Sequence, residues 1–126
     1  MRLLLAEDNT LNRDMLARRL RRRGHEVIET SNGGQALERS AVMPPPDAVL
    51  LDLDMPVIDG WGVLRALRDM GLNMPVLILS AHSLKEDRRR ATELGVAAYL
   101  SKPLDFDELL LRLAQLCPTA GVSTPI

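Results

Sequence analysis

The 126-residue sequence predicts a single doubly wound α/β domain, in which helices cover both faces of a five-stranded parallel sheet. Five short, mainly apolar runs alternate with longer stretches that carry apolar residues at helical spacing. Most of these runs lack alternating polar residues, which is typical of parallel strands buried on both faces. The length of the chain suits one hydrophobic core rather than two.

The first half of the chain predicts two strand–helix units. The apolar run 3–6 is the first strand, and the helix after it ends before Gly24, because glycine commonly terminates helices. The apolar side of this helix is expected to consist of Leu11, Met15, Leu16 and Leu20. Residues 25–29 form a more polar second strand, which we expect nearer an edge of the sheet. Asn32 begins the second helix, and the prolines at 44–46 end it.

The second half of the chain predicts three further units. Strands are expected at 48–51, 75–79 and 96–100, each an apolar run bounded by polar or turn-forming residues. Gly71 ends the third helix, and the side chain of Asp105 can cap the start of the fifth. The apolar positions of the three helices are Trp61, Val63, Leu64 and Leu67, then Leu84, Ala91 and Leu94, then Leu109, Leu110, Leu113 and Leu116.

The composition changes near the end of the chain. Residues 1–117 carry the alternating strands and helices, and we expect them to form the domain. Residues 118–126 are rich in Pro, Ser, Thr and Gly, as is typical of a flexible tail or the stub of a linker.

The composition also excludes several classes of protein. The 16 basic and 17 acidic residues nearly cancel, so no basic excess predicts direct binding of nucleic acid. Cys117 is the single cysteine, which excludes an internal disulfide and a cysteine-cluster metal site. The apolar runs are far shorter than the roughly 18 residues that span a membrane. We therefore expect a cytoplasmic protein that contacts neither a membrane nor nucleic acid directly.

Polar side chains lie at the carboxyl ends of four predicted strands. They are Glu7 and Asp8, Asp52 with Asp54 two residues on, Ser80, and Lys102. Because ligands of doubly wound sheets bind outside the carboxyl ends of the strands, we expect these side chains to converge. Any one of these acids alone is more commonly a turn residue or a helix cap, so the hypothesis depends on the whole set.

The charges of this set indicate a divalent cation and a phosphoryl group. Neighbouring carboxylates raise one another's pKa unless a cation lies among them. A set of oxygen ligands suits Mg²⁺. Lys102 offers a positive charge and Ser80 a hydroxyl, and both can bind phosphoryl oxygens. The combination predicts phosphoryl chemistry with an aspartate carboxylate as the nucleophile.

Four motifs carry a resemblance to a known family. They are Leu-Leu-Leu-Ala-Glu-Asp-Asn at 3–9, Leu-Asp-Leu-Asp-Met-Pro-Val-Ile-Asp-Gly at 51–60, Leu-Ser-Ala at 79–81 and Tyr-Leu-Ser-Lys-Pro at 99–103. The motifs lie at the ends of four of the five predicted strands, and residues 2 to about 117 resemble the receiver domain of bacterial two-component response regulators. The resemblance implies the flavodoxin-like, CheY-like (βα)5 fold, in agreement with the doubly wound sheet predicted from the alternation.

The resemblance also implies a role for each residue of the set. Asp52 would accept a phosphoryl group from a histidine kinase or a histidine phosphotransfer protein, and Lys102 would contact that group. Mg²⁺ or Mn²⁺ would be held by Glu7, Asp8, Asp52 and the main-chain carbonyl of Asp54. Ser80 and Tyr99 would move after phosphorylation and remodel the surface of the fourth helix, fifth strand and fifth helix.

The implied protein is a signalling switch rather than an enzyme, because it would assist only its own phosphorylation and dephosphorylation. It would be a monomer or weak dimer that binds a downstream protein, whose identity the sequence does not give. The basic fourth helix and the acidic start of the fifth could pair in a symmetric dimer. However, Ala97 and Ala98 stand where receivers that dimerise in this way carry acids, so a solvated surface is the favoured interpretation.

Three alternative functions compete with this interpretation. Asp52-Leu53-Asp54 after an apolar strand also resembles haloacid-dehalogenase-type phosphatases, which place that motif near the N-terminus and prefer Thr or Val at the position of Met55. A flavodoxin-like cofactor binder needs a Ser/Thr/Gly-rich phosphate loop after the first strand, where Glu7-Asp8-Asn9 carries the opposite charge. An unphosphorylated interaction module shaped like a receiver would not need the complete set of site residues.

Several further residues have two interpretations. Leu11 lies at the start of the first helix, where it could either contact the phosphodonor or pack in the core. The five arginines within 18–23 are best explained as a solvated face, with cations favourably placed near a helix C-terminus. Trp61 is expected to half-pack beneath the loop of the site, and His82 to border the phosphorylation pocket.

Overall fold

Strands and helices alternate throughout the parts of the chain that the computed structural model describes, residues 1–55, 58–81 and 85–116. The strands are β1 (Arg2–Ala6), β2 (Glu26–Thr30), β3 (Ala48–Asp52), β4 (Val76–Ser80) and β5 (Ala98–Ser101). The helices are α1 (Thr10–Arg22), α2 (Gly33–Ser40), α3 (Gly60–Asp69), α4 (Lys85–Glu93) and α5 (Phe106–Leu116). The strands pair in parallel in the order β2-β1-β3-β4-β5, which confirms the predicted doubly wound sheet. The direction of winding reverses at β1 and β3, so a ligand crevice is expected at their carboxyl ends.

The sheet separates two hydrophobic cores. Leu3 and Leu5 of β1 belong to one core, whereas Leu4 and Ala6 belong to the other. Helices α1 and α5 supply Ala17, Leu20, Phe106, Leu109 and Leu113 to the first core. Helices α2 and α3 supply Ala36, Val63, Leu64 and Leu67 to the second. Because helices cover both faces, every residue of β3 and β4 is buried, which explains why their sequences are almost wholly apolar. Strand β2 lies at an edge, as its more polar sequence predicts.

Side-chain caps begin four of the helices. The Oδ1 atoms of Asn9, Asn32 and Asp59 accept hydrogen bonds from main-chain N–H groups in the first turns of α1, α2 and α3, at 2.8–2.9 Å. Asp105 caps α5 in the same way, at 3.2 Å, as predicted. The glycines that follow α1, α3 and α4 have positive φ angles, which only glycine adopts without strain; they are Gly24, Gly71 and Gly95. The starts and ends of these helices are therefore set by capping side chains and by glycines close to them in sequence.

The predicted apolar side of α1 is wrong for two of its four residues. The buried stripe of α1 runs through Ala17 and Leu20, with Leu16 partly buried beside it. Leu11 and Met15 lie away from that stripe, and 66% and 54% of their surfaces are exposed. The reason is rotational: a helix presents one narrow stripe to a sheet, and residues 11 and 15 fall outside the stripe set by 17 and 20.

Other predictions differ by small boundary shifts or fall outside the described residues. Strand β5 begins at Ala98 rather than 96, because Val96 N–H donates to the Ala91 carbonyl and closes the turn after α4. His82, Leu84, Cys117 and the tail at 118–126 lie outside the described residues. Across the residues that are described, no helix is both long and apolar enough to cross a membrane.

Helix α4 contributes little to either core. Within Lys85–Glu93, Ala91 is buried, and the other residues are exposed or half-buried. Two arginines of α4 lie over aromatic rings instead: the Arg88 guanidinium carbon is 5.0 Å from the centroid of Tyr99, and that of Arg90 is 4.5 Å from Trp61. Such cation–π contacts are worth about 0.5–1 kcal/mol each at exposed sites. Helix α4 is therefore attached mainly by polar and arginine–aromatic contacts.

Gly60 is expected to be intolerant of any side chain, because it packs against the end of β3. A Cβ at position 60 would lie 2.8 Å from the main-chain oxygen of Asp52 and from the Cα of Leu53. Gly60→Ala should therefore lower the free energy of unfolding by about 1–3 kcal/mol. Gly34→Ala is the matched control, since its nearest neighbour would be a side-chain oxygen at 3.4 Å. It should change stability by less than about 1 kcal/mol. Urea unfolding compares the two, and equal effects would contradict the close packing.

Candidate functional site

Three carboxylates meet at the carboxyl ends of β1 and β3, where the winding reverses. Glu7 and Asp8 follow β1 directly, and Asp52 is the last residue of β3. One oxygen from each carboxylate lies within 4.8 Å of the others. Glu7 and Asp52 are buried, whereas Asp8 is exposed. The structure thus brings together the acids that the sequence predicts to converge.

The ammonium group of Lys102 bridges two of these carboxylates. Its Nζ donates to Glu7 Oε1 at 3.1 Å and to Asp52 Oδ2 at 2.9 Å. Lys102 follows β5, and its own N–H donates to the main-chain oxygen of Ser80 at 2.7 Å. That bond holds the start of the β5–α5 connection against the end of β4. The lysine therefore reaches from one side of the sheet to the acids on β1 and β3.

The charges at the site do not balance. Burial, together with the hydrogen bond to Asp52 and the charge of Asp52, raises the pKa of Glu7 from 4.5 to about 7, although the hydrogen bonds from Asn9 and Lys102 act in the opposite direction. Burial opposes the charge of Lys102, but the two carboxylates outweigh that effect and raise its pKa. Three acids thus face one ammonium group. An oxygen-rich, net negative cluster of this size fits a hard divalent cation such as Mg²⁺.

The other predicted site residues lie after β3 and on the strands β4 and β5. Asp54 N–H donates to Asp52 Oδ1 at 3.0 Å, so the chain after β3 curls around the carboxylate. Ser80 is fully buried as the last residue of β4, one position beyond the residue that pairs with Asp52. Tyr99 is half-buried in β5, opposite Ile78. The metal-binding role of the Asp54 carbonyl and the switching roles of Ser80 and Tyr99 stay predictions.

Two contributors to the site were missed from the sequence. Arg13 Nη1 donates to the main-chain oxygen of Glu7 at 2.8 Å, and Gly60 packs on the main chain of Asp52. The sequence does contain a signal for Arg13. A cation in the first turn of α1 is disfavoured by the positive end of the helix dipole, so its presence there suggests a specific partner. Gly60 ends the motif at 51–60, but its packing role was not predicted, since the requirement for glycine arises from the approach of α3 to the end of β3.

A groove runs from the acidic cluster along α1. Its volume is about 410 Å³, and its lining includes Glu7, Met15, Leu16, Lys102, Pro103 and Leu104. Leu11 and Met15 are exposed on the same helix, so the core interpretation of Leu11 is wrong.

The five arginines of 18–23 are exposed, as a solvated face predicts. Arg18 pairs with Asp14, and Arg21 pairs with Glu29.

The raised pKa of Glu7 predicts that metal-free stability falls as pH rises. Between about pH 4.5 and pH 7 the unfolded chain has lost the Glu7 proton that the folded chain keeps, so the folded state binds more protons. The free energy of unfolding should therefore decrease through this window by roughly 1–3 kcal/mol, and stay reduced above it. Urea unfolding in EDTA at several pH values measures this change.

Glu7→Gln is the control that isolates this contribution. His25 titrates in an overlapping range, and burial followed by the Met1 amino group lowers its pKa, so its contribution to stability rises with pH. The difference between the parent and the Gln variant cancels His25. Identical pH profiles for the two proteins would contradict the assignment to Glu7.

Comparison with known proteins identifies the family. The family model described as the response regulator receiver domain matches residues 3–114. The transcriptional regulatory protein PrrA of Mycobacterium tuberculosis is 42% identical over 120 residues, which cover 95% of this chain and 51% of that protein. The response regulator protein PmrA of Pseudomonas aeruginosa is 40% identical over 126 residues, covering 99% and 57%. The chain thus spans about half the length of the curated relatives that it matches.

Solved structures agree with this result. The receiver domain of the Francisella response regulator 1452 has a TM-score of 0.88 at 28% identity, over 94% of this chain and 98% of that chain. Chemotaxis protein CheY4 of Vibrio cholerae has a TM-score of 0.83 at 26% identity, over 91% and 97%. With its four motifs, its parallel sheet and its acidic cluster at the winding reversal, the chain belongs to the response regulator receiver domain family.

Proposed function

We propose that the chain is a phospho-accepting receiver, in which Asp52 takes a phosphoryl group from a histidine kinase or a histidine phosphotransfer protein. One observation carries the proposal: the Asp52 carboxylate ends a central strand beside two other carboxylates, 2.9 Å from the Lys102 ammonium. In the transfer, the N–P bond of the donor breaks, and a carboxylate oxygen of Asp52 forms the new bond to phosphorus. The imidazole of the donor histidine is the leaving group.

The remaining side chains of the site would stabilise the added charge. Lys102 and the hydroxyl of Ser80 would donate hydrogen bonds to phosphoryl oxygens. Mg²⁺ or Mn²⁺ would be held by Glu7, Asp8, Asp52 and the main-chain carbonyl of Asp54, and the spacing of the three carboxylates supports this. The cation, when bound, supplies positive charge that offsets the acids and the phosphoryl oxygens. The protein would act as a switch, and would assist only its own phosphorylation and dephosphorylation.

The groove beside the acidic cluster is the proposed contact for the phosphodonor. It contains Glu7 and Lys102 at one end and the partly apolar surface of α1 along its length. Exposed Leu11 and Met15 extend this surface beyond the groove. Apolar area next to a buried reactive group is suited to a partner that must bring its own reactive group into contact.

The proposed output lies in a further segment of protein. Residues 1–117 would form the receiver, and 118–126 would begin a linker. PrrA is a transcriptional regulatory protein about twice the length of the matched region, so a DNA-binding output domain following the receiver is the proposal by analogy. The receiver itself would contact proteins rather than nucleic acid, and its charge of −1 is consistent with that.

The haloacid-dehalogenase alternative has lost its support. The chain belongs to the receiver family, and Asp52 ends the third strand rather than the first. An unphosphorylated receiver-shaped module is the alternative that the labelling experiment separates from the proposal.

Asp52→Asn should abolish phosphorylation. Incubating the parent with acetyl phosphate and Mg²⁺ should add one phosphoryl group, because the small donor needs only an accessible carboxylate and charge compensation. The Asn variant should gain none, as measured by intact mass.

Asp54→Asn is the matched control for this experiment. Asp54 is exposed and two residues from the acceptor, and the proposal uses its carbonyl alone, so this variant should be labelled like the parent. Undiminished labelling of the Asp52 variant would place the acceptor elsewhere. A parent that neither acetyl phosphate nor a histidine phosphodonor labels would favour the unphosphorylated module.

Ser80→Ala should separate phosphorylation from its readout at Tyr99 and α4. The variant keeps Asp52 and Lys102, so labelling should persist, but the buried hydroxyl that contacts the phosphoryl group is lost. Chemical-shift mapping with beryllofluoride, a phosphoryl mimic, should show changes at Tyr99 and α4 in the parent and much smaller ones in the variant. Ser80→Thr retains the hydroxyl and should retain the changes. Equal changes in the Ala variant and the parent would rule out coupling through Ser80.

A further inference from the structure

Arg13 has a covered and doubly anchored side chain in a position that disfavours a cation. It lies in the first turns of α1, near the positive end of the helix dipole, yet only 17% of its side chain is exposed. Its Nη1 donates to the main-chain oxygen of Glu7 at 2.8 Å. Its Nε lies 3.7 Å from Glu29 Oε1. The guanidinium therefore joins the loop after β1 to strand β2.

The first contact fixes the main chain between the two acids of this loop. Glu7 N–H donates to the Thr30 main-chain oxygen at 3.1 Å, and the Glu7 carbonyl accepts from Arg13. Both main-chain polar groups of Glu7 are therefore held by hydrogen bonds. Because the peptide bond is planar, a fixed Glu7 carbonyl also fixes the direction in which the chain enters Asp8. The bond from Arg13 thus constrains the main chain that joins the two acids.

The second contact orients the guanidinium itself. Glu29 also accepts from Arg21 Nη1 at 3.1 Å, and Arg21 Nη2 donates to the Val27 oxygen at 2.9 Å. Arg21, a second arginine of α1, therefore fixes the Glu29 side chain against the main chain of β2. A planar guanidinium can satisfy Glu29 and the Glu7 carbonyl together, whereas an ammonium group cannot keep the same geometry.

We infer that Arg13 is a positioning residue for the acidic cluster: it sets the carboxylates of Glu7 and Asp8 at the spacing that a divalent cation needs, without touching the cation. The inference deepens the proposed function and rests on the metal site within it. The charge of Arg13 alone predicts the opposite change in cation affinity when Arg13 is removed. Removing a nearby positive charge would tighten the binding of a cation, whereas loss of positioning would weaken it.

The test is the dissociation constant of Mg²⁺ for the full chain, measured by calorimetry without a phosphodonor. Arg13→Ala should weaken binding about 10-fold, the scale seen for residues that orient metal ligands. Arg13→Lys should weaken it less, by roughly 2- to 5-fold, because the charge stays but the two-armed contact is lost. Circular dichroism and urea unfolding establish that each variant is folded; if the Ala variant is not, the Lys variant decides.

Arg18→Ala is the matched control. It removes the same charge from α1, but Arg18 is 67% exposed and pairs with Asp14 rather than with the loop of the site. Its Mg²⁺ affinity should stay within about twofold of the parent. A folded Arg13→Ala protein that binds Mg²⁺ as tightly as the parent, or more tightly, would overturn the inference.

A second readout separates this inference from the proposed function. At saturating Mg²⁺, Arg13→Ala should regain the labelling rate of the parent with acetyl phosphate, since Arg13 does not contact the phosphoryl group. Persistently slow labelling would give Arg13 a role other than positioning for the cation. If Mg²⁺ binding responds to Arg13 but Asp52 is never labelled, the proposed function fails and the positioning role stands.

Discussion

The bridge from the Lys102 ammonium to two carboxylates is the interaction on which the site depends. Taking an unpaired carboxylate out of water costs several kcal/mol, so Glu7 and Asp52 could not lie buried side by side without it. The bridge compensates only in part, because the pKa of Glu7 stays raised to about 7. The fold thus retains an excess of negative charge at one point, which destabilises the free domain and favours the entry of a cation.

The sheet topology confines the charged side chains to the loops after the strands and keeps them out of the two hydrophobic cores. The winding reverses at β1 and β3, so the loops that follow these strands diverge and leave a crevice for the three acids. Below the crevice, both strands are apolar and buried on both faces. Gly60 and Arg13 then hold the two loops from outside, one through close packing on β3 and the other through a hydrogen bond to Glu7.

The strands, their parallel pairing and the acids at their carboxyl ends could be predicted because each depends on short-range patterns. A strand buried on both faces needs an apolar run, and its polar groups can appear only where it ends. The side of α1 that faces the sheet could not be predicted as well, since Leu11 and Met15 are as apolar as Leu20 and only the packed rotation of the helix distinguishes them. The roles of Arg13 and Gly60 arise from side-chain and main-chain contacts made as a helix packs beside the preceding strand, for which the sequence has no periodic signal.

In helix α4, the residues that attach the helix to the domain are distinct from the outer surface that a partner could bind. Its attachment relies on Arg88 over Tyr99 and Arg90 over Trp61, with Ala91 as the buried contact among Lys85–Glu93. Substitutions on the outer side of such a helix remove little buried apolar area, so they cost little folding free energy. The surface of α4 can therefore diverge in evolution and acquire new binding partners, while the cores and the acidic cluster keep their sequence.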